Sequence, residues 1–120
     1  MEKTIMIVDD ALFMRKLIIK TLTKHGYHHI IEATNGEEGI SLYKQHQPDI
    51  VLLDITMPDK TGIDVLQELL MLDADAKVIM CSAVGQDNMI ANALRIGAKD
   101  FIVKPYKDEQ LIQMIDTLII

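Results

Sequence analysis

Five short apolar runs recur along this chain, each followed by a longer amphipathic stretch, and that alternation limits the fold more than any other feature. The runs are Thr4–Val8, His29–Ala33, Asp49–Leu53, Lys77–Cys81 and Phe101–Val103. Most are continuously apolar and do not alternate with polar residues, which is how a strand reads when both faces of its sheet are covered. The stretches between them carry helical spacing. Leu12, Met14, Leu17, Ile18 and Leu22 form the first set, with Gly26 as its stop, and Glu37 to about His46 forms the second, ended by Pro48. Ile63, Leu66, Leu69 and Leu70 carry a third helix, and Ile90, Ala93 and Leu94 a fourth that closes at Gly97. Leu111, Met114, Ile115 and Leu118 carry the last. A strand–helix unit repeated five times predicts an α/β fold with a five-stranded parallel sheet, doubly wound, in a single domain over residues 1–120.

Composition removes several classes of function. With 12 Lys plus Arg against 18 Asp plus Glu, the net charge is −6, and an acidic surface repels a phosphate backbone, so no direct nucleic-acid binding is expected. One cysteine cannot form an internal disulfide. No apolar run reaches the roughly 18–20 residues of a membrane span. The opening MEKTIMIVDD meets its carboxylates too early for a signal peptide. The expectation is a cytoplasmic domain that is monomeric and has no membrane partner.

In an open parallel sheet, ligands bind beyond the carboxyl ends of the strands. The residues falling there are Asp9 and Asp10, Asp54, Ser82 and Lys104. Three carboxylates in one place repel one another and invite a cation, and all-oxygen ligands suit a hard divalent ion, Mg²⁺ with Mn²⁺ as a substitute. Lys104 supplies a point charge and Ser82 a hydroxyl donor for phosphoryl oxygens. This is the outfit of a phosphoryl-transfer site, where positioning and charge neutralisation carry most of the chemistry. Ser82 has no base beside it, so the nucleophile is a carboxylate. Asp9 and Asp10 form a pair suited to metal, which leaves Asp54 as the phosphate acceptor. Each residue has a plainer reading on its own. Asp9-Asp10 could cap a helix, Asp54 could open the turn to Pro58, and Lys104-Pro105 is a turn signal. Their joint occurrence at successive strand ends favours the site. His28-His29 reads as surface, because neighbouring strand residues point to opposite faces. Cys81 reads as a small core residue.

These motifs resemble the receiver domain of two-component response regulators over the whole chain: IVDD, LLDITMP, CSA and VKP all stand in place. The stretches at 9–15, 54–58, 81–86 and 97–106 are similar to the single-domain chemotaxis members of that family. Tyr106 stands where phenylalanine is usual in the nearest of them. The resemblance implies a flavodoxin-like strand order 2-1-3-4-5. It implies that Asp10 and Asp54 bind Mg²⁺ directly, that Asp9 helps through water, and that the backbone carbonyl of Thr56 is a further ligand. Asp54 would take phosphate from the phosphohistidine of a sensor histidine kinase, and Ser82 and Lys104 would contact the phosphoryl group. Phe101 would be the switch aromatic, and the Lys104-Pro105 bond would be cis. The face of the fourth helix, fifth strand and fifth helix would signal to a downstream protein such as the flagellar motor switch, and a phosphatase would be a further partner. The protein would catalyse only its own phosphorylation and dephosphorylation.

Other phosphoryl or flavin folds fit less well. Haloacid-dehalogenase-like phosphatases carry DxDxT, whereas Thr56 occupies the second acidic position here, and their nucleophile follows the first strand. A flavin carrier needs a hydroxyl- and glycine-rich loop where Asp9-Asp10-Ala11-Leu12 stands. The alternative within the family is a receiver cut from a larger regulator with a DNA-binding or enzymatic output domain. The apolar ending Leu118-Ile119-Ile120 is compatible with that or with a last helix packed to its final turn.

Overall fold

The apolar runs become strands because Ile, Val and Leu dominate them and helices on either side cover both faces of the sheet they form. A computed structural model, which describes residues 2–120, shows the order β1 (Thr4–Val8), α1 (Leu12–Lys24), β2 (His29–Ala33), α2 (Gly36–His46), β3 (Ile50–Asp54), α3 (Gly62–Leu72), β4 (Val78–Ser82), α4 (Asp87–Ile96), β5 (Asp100–Val103) and α5 (Asp108–Leu118). All pairings are parallel and the strand order is β2-β1-β3-β4-β5, as the family resemblance implies. The chain winds outward in both directions from β1 and β3, and the two strands on either side of that reversal carry Asp9-Asp10 and Asp54 at their ends.

Successive strand residues feed two separate cores. Met6, Val8, Val51, Leu53 and Met80 pack against α2, α3 and α4. Ile5, Ile7, Ile50, Leu52, Ile79 and Ile102 pack against α1 and α5. Side-chain caps fix the starts of α2 and α3. Asn35 accepts the Glu38 N–H at 2.8 Å, while Glu38 reaches back to the Thr34 N–H at 2.7 Å. Asp59, far along the chain, adds its carboxylate to the same helix start, accepting from the Gly36 and Glu37 N–H groups at 2.9 Å each. The β3–α3 loop is thereby tied to α2, and Lys60 reinforces the tie through ion pairs to Glu37 and Glu68.

Boundaries differ from the sequence reading by single residues. β3 and β4 run one residue further than expected, so Asp54 and Ser82 are the last rungs of their strands and not the first residues of loops. Asp49 leaves β3 and instead accepts the Thr4 N–H with its carboxylate at 2.7 Å. The larger difference is in α1. Arg15, Ile18, Thr21 and Leu22 are its buried residues, while Leu12 and Leu17 from the expected apolar face are exposed. Arg15 fills the inward position because its guanidinium is satisfied there, by Glu32 at 3.0 Å and by the Asp9 carbonyl at 2.9 Å. Leu94 on α4 is exposed too, with Ile90 and Ala93 taking the core. His28 and His29 are exposed, and His29 pairs with Glu2. Cys81 is buried and unbonded, and burial pushes its thiol up to about 12.

Candidate phosphoryl-transfer site

Parallel strands bring their carboxyl ends to one edge, and the five residues singled out from the sequence all lie there. Asp9, Asp10 and Asp54 present carboxylate oxygens within 4.8 Å of one another, the one such cluster among the described residues. Asp9 follows β1 directly and is 3 % exposed, with one oxygen accepting the Ala11 N–H at 2.9 Å. That bond shapes the turn into α1, yet Ala11 and not an aspartate holds the helix N-cap position, and no side chain caps it. Capping therefore does not account for the acidic pair. Asp10 is exposed at the rim, and Asp54 is half-buried at the floor.

Lys104, brought in by β5, is the cation at the centre. Its Nζ lies 3.2 Å from Asp9 Oδ2 and 3.3 Å from Asp54 Oδ1. Its backbone N–H donates to the Ser82 carbonyl at 2.8 Å, which pins the end of β5 to the end of β4. The Lys104-Pro105 peptide that follows is cis. Burial raises the pKa of Asp54 above the usual carboxylate value. Lys104 pulls it back, and the charge of Asp9 pushes it up again. Burial works against the charge of Lys104, but Asp54 and Asp9 outweigh it and the pKa stands above the ordinary lysine value.

Ser82 is fully buried and its hydroxyl has no hydrogen-bond partner. An orphaned buried hydroxyl costs about 1–3 kcal/mol, which gives it a reason to move toward a new acceptor. The loop after it, residues 83–86, contains Gly85 at φ +93°, in open space. Phe101 pairs with Met80 across β4 and β5, and is half-buried against the core under α3 and α4. On the other side of the acceptor, Gly62 opens α3 so close to β3 that a Cβ there would meet the Asp54 carbonyl oxygen at 2.3 Å. Its N–H donates to Ile55 O at 2.6 Å. Thr56 lies exposed on that loop, two residues past Asp54.

Three residues that position this site escaped the sequence reading. Arg15 holds the Asp9 carbonyl, Asp59 anchors the acceptor loop to α2, and Gln86 joins the loops after β3 and β4. Asp59 was open to discovery, since a carboxylate beside Pro58 is a capping residue in search of a helix end. Nothing local marks Arg15 or Gln86, whose partners Glu32 and Thr56 lie 17 and 30 residues away.

Three carboxylates meeting one ammonium leave the edge with excess negative charge, and the donor set is all oxygen. The residues present fit a hard divalent cation. An edge with a carboxylate floor, an unpartnered hydroxyl and an ammonium held between two carboxylates is suited to receiving a phosphoryl group. The chain belongs to the response regulator receiver domain family, whose model matches residues 5–116. Within that family it is 47% identical to the chemotaxis protein CheY of Bacillus subtilis over 116 residues, 97% of both chains. CheY of Thermotoga maritima matches at the same identity and coverage. Among solved structures, the CheX–CheY–BeF3–Mg²⁺ complex from Borrelia burgdorferi superposes with a TM-score of 0.92 at 38% identity, over 98% of this chain and 90% of that one. No helix among the described residues is long and apolar enough to cross a membrane.

Proposed function

We propose that this protein is a phosphorylation-activated switch of a two-component system, that Asp54 is its acceptor, and that its pathway is chemotaxis. The observation that carries the reading is the junction of Asp54 with Lys104 and the Asp9–Asp10 pair on one sheet edge, beside a buried hydroxyl with nothing to bind. Similarity to CheY along almost the whole chain supports chemotaxis as the setting.

In the transfer, a carboxylate oxygen of Asp54 attacks the phosphorus of a phosphohistidine on a kinase. The new O–P bond forms as the N–P bond breaks, and the electron pair stays on the imidazole nitrogen. Lys104 already spans Asp54 and Asp9, so its ammonium needs little motion to meet the incoming oxygens. Asp9, Asp10 and Asp54, with the Thr56 carbonyl that the family resemblance adds, would hold Mg²⁺ or Mn²⁺. That ion would neutralise charge shared by the carboxylates and the phosphoryl group. The Ser82 hydroxyl then gains an acceptor, its loop follows, and Phe101 moves into the space vacated. The α4–β5–α5 face changes shape and is read by a downstream protein, the motor switch being the leading candidate. A sensor kinase, and a phosphatase such as a CheX-like protein, complete the partner set in the cytoplasm. The protein's own catalysis extends only to its own phosphorylation and dephosphorylation.

The test is intact-mass measurement after incubation with acetyl phosphate and Mg²⁺. One phosphoryl group on the wild type, absent when Mg²⁺ is chelated, is the expected result. A mass unchanged under all conditions would sink the reading.

A further inference from the structure

Gln86 sits immediately before α4, at the helix N-cap position, but its side chain makes no cap bond to its own helix. It turns back instead. Its Oε1 accepts the Ala83 N–H at 2.7 Å, and its Nε2 donates to Thr56 Oγ1 at 3.0 Å. The second bond is, among the described residues, the one hydrogen bond that joins the loop after β4 (residues 83–86) to the loop after β3 (residues 55–61). Asp54 and Cys81 are ladder partners, so these loops leave neighbouring strand ends on either side of the acceptor. Little else holds the 83–86 loop, since Ala83, Val84 and Gly85 are all exposed. Gln86 also starts α4, its carbonyl accepting the Ile90 N–H at 3.0 Å.

We propose that Gln86 is a positioning residue whose carboxamide latches the 83–86 loop to Thr56 in the unphosphorylated protein and so sets how readily Ser82 is drawn to Asp54. The inference rests on the phosphoryl-switch reading and deepens it. Ser82 and Ala83 are adjacent, so drawing the Ser82 hydroxyl toward a phosphoryl group displaces the Ala83 N–H from the carboxamide. The same motion stretches the Gln86–Thr56 bond. Both bonds therefore favour the resting arrangement and oppose the activated one. Because the Gln86 backbone begins α4, releasing the carboxamide frees the start of that helix in the same event. A ligand shifts such an equilibrium only by its differential affinity for the two states, so weakening the resting state makes any phosphoryl mimic bind more tightly.

The test uses the full chain with Mg²⁺ and beryllofluoride as the mimic, following the Gly85 and α4 amides by NMR. Gln86→Met keeps the length of the side chain and removes both bonds. Thr56→Val keeps shape and backbone and removes the hydroxyl, and Thr56→Ser restores it. Gln86→Met and Thr56→Val should each bind beryllofluoride roughly threefold to tenfold more tightly than wild type, the range one or two neutral hydrogen bonds supply. The double variant should gain less than the product of the two, since they break the same bond. Thr56→Ser should fall within about twofold of wild type, as expected where the hydroxyl alone matters. Unchanged or weaker affinity in Gln86→Met overturns the latch, and fully multiplicative gains overturn the pairing with Thr56. A wild type that fails to bind the mimic overturns the phosphoryl-switch reading and the latch with it. Tight wild-type binding with unchanged variants overturns the latch alone.

Discussion

Along β3, Leu53 and Asp54 are adjacent in the chain and opposite in character. Leu53 has no exposed surface and belongs to the apolar core, whereas Asp54 is a half-buried carboxyl raised in pKa and facing Asp9 and Lys104. β4 repeats the change one rung across, from sealed Met80 and Cys81 to Ser82 with its unpartnered hydroxyl. The strand interiors have nothing left to satisfy. The edge keeps crowded charges and an idle donor in place because the interiors hold the strands in register beneath them. Stability and chemistry are thus segregated by a single residue step, and substitutions on the two sides should fail in different ways.

The largest effect expected at the edge is that of Asp54→Asn. Acetyl phosphate should add one phosphoryl group to the wild type and none to the variant, by intact mass, while the variant melts no lower than wild type. Labelling of the variant at another residue would break the comparison, because the chemistry would then not depend on this strand end.

On the interior side, Leu52→Ala should cost about 2–5 kcal/mol in urea unfolding, the range for a large apolar side chain lost from a packed core. Below the unfolding transition it should still accept phosphate on Asp54. A loss under 1 kcal/mol would mean that the β1–β3–β4 core relaxes around the gap and does not act as a fixed base.

Gly62 belongs to both regions and tests the boundary itself. An alanine Cβ would press on the Asp54 carbonyl oxygen and lie 2.7 Å from Ile55 Cα, backbone atoms that cannot swing aside. Overpacking of this kind costs about 1–3 kcal/mol. Phosphorylation of Gly62→Ala should also slow, because the displaced segment carries the acceptor. A stability loss with an unchanged labelling rate would show that the edge tolerates shifts in its support.

The interior was legible in the sequence and the details of the edge were less so, for physical reasons. Continuous runs such as Ile5–Val8 and Ile50–Leu53 have one low-energy use in a chain with intervening amphipathic helices, so strands, helices and their alternation follow from pattern. The polar residues at the strand ends then fall on one edge by topology. The strand order itself came from family resemblance, since pattern alone does not decide which strands neighbour. α1 misled because leucine is usually inward and arginine usually outward. Exposed Leu12 and buried Arg15 reverse that through contacts to Glu32 and the Asp9 carbonyl, both outside the helix. Gln86 was illegible for the same reason, its partner Thr56 lying 30 residues away.

The smallest effect expected is also the one whose sign separates the regions most sharply. Removing a well-placed interior group destabilises, but the edge carries more carboxylates than Lys104 neutralises, so removing an uncompensated carboxylate charge there should help. Asp10 sits at the exposed rim of the three-carboxylate cluster, away from the Lys104 contacts that compensate Asp9 and Asp54. Without divalent metal, Asp10→Asn should therefore melt slightly above wild type, by roughly 1–3 °C, as solvent screening weakens the repulsion it relieves. With metal the order should invert. A cation binding only the folded state stabilises it by RT ln(1 + [L]/Kd), about 2.7 kcal/mol at 100 times Kd. Wild type should gain that increment as Mg²⁺ is raised, and the variant should lose most of it along with a charged ligand. Calorimetric melting across a Mg²⁺ series reads both signs in one experiment. Parallel rises in the two proteins would place the cation away from Asp10. A variant that melts lower even with the metal chelated would show that the rim carboxylate is part of the packed structure, erasing the step between edge and interior at β1.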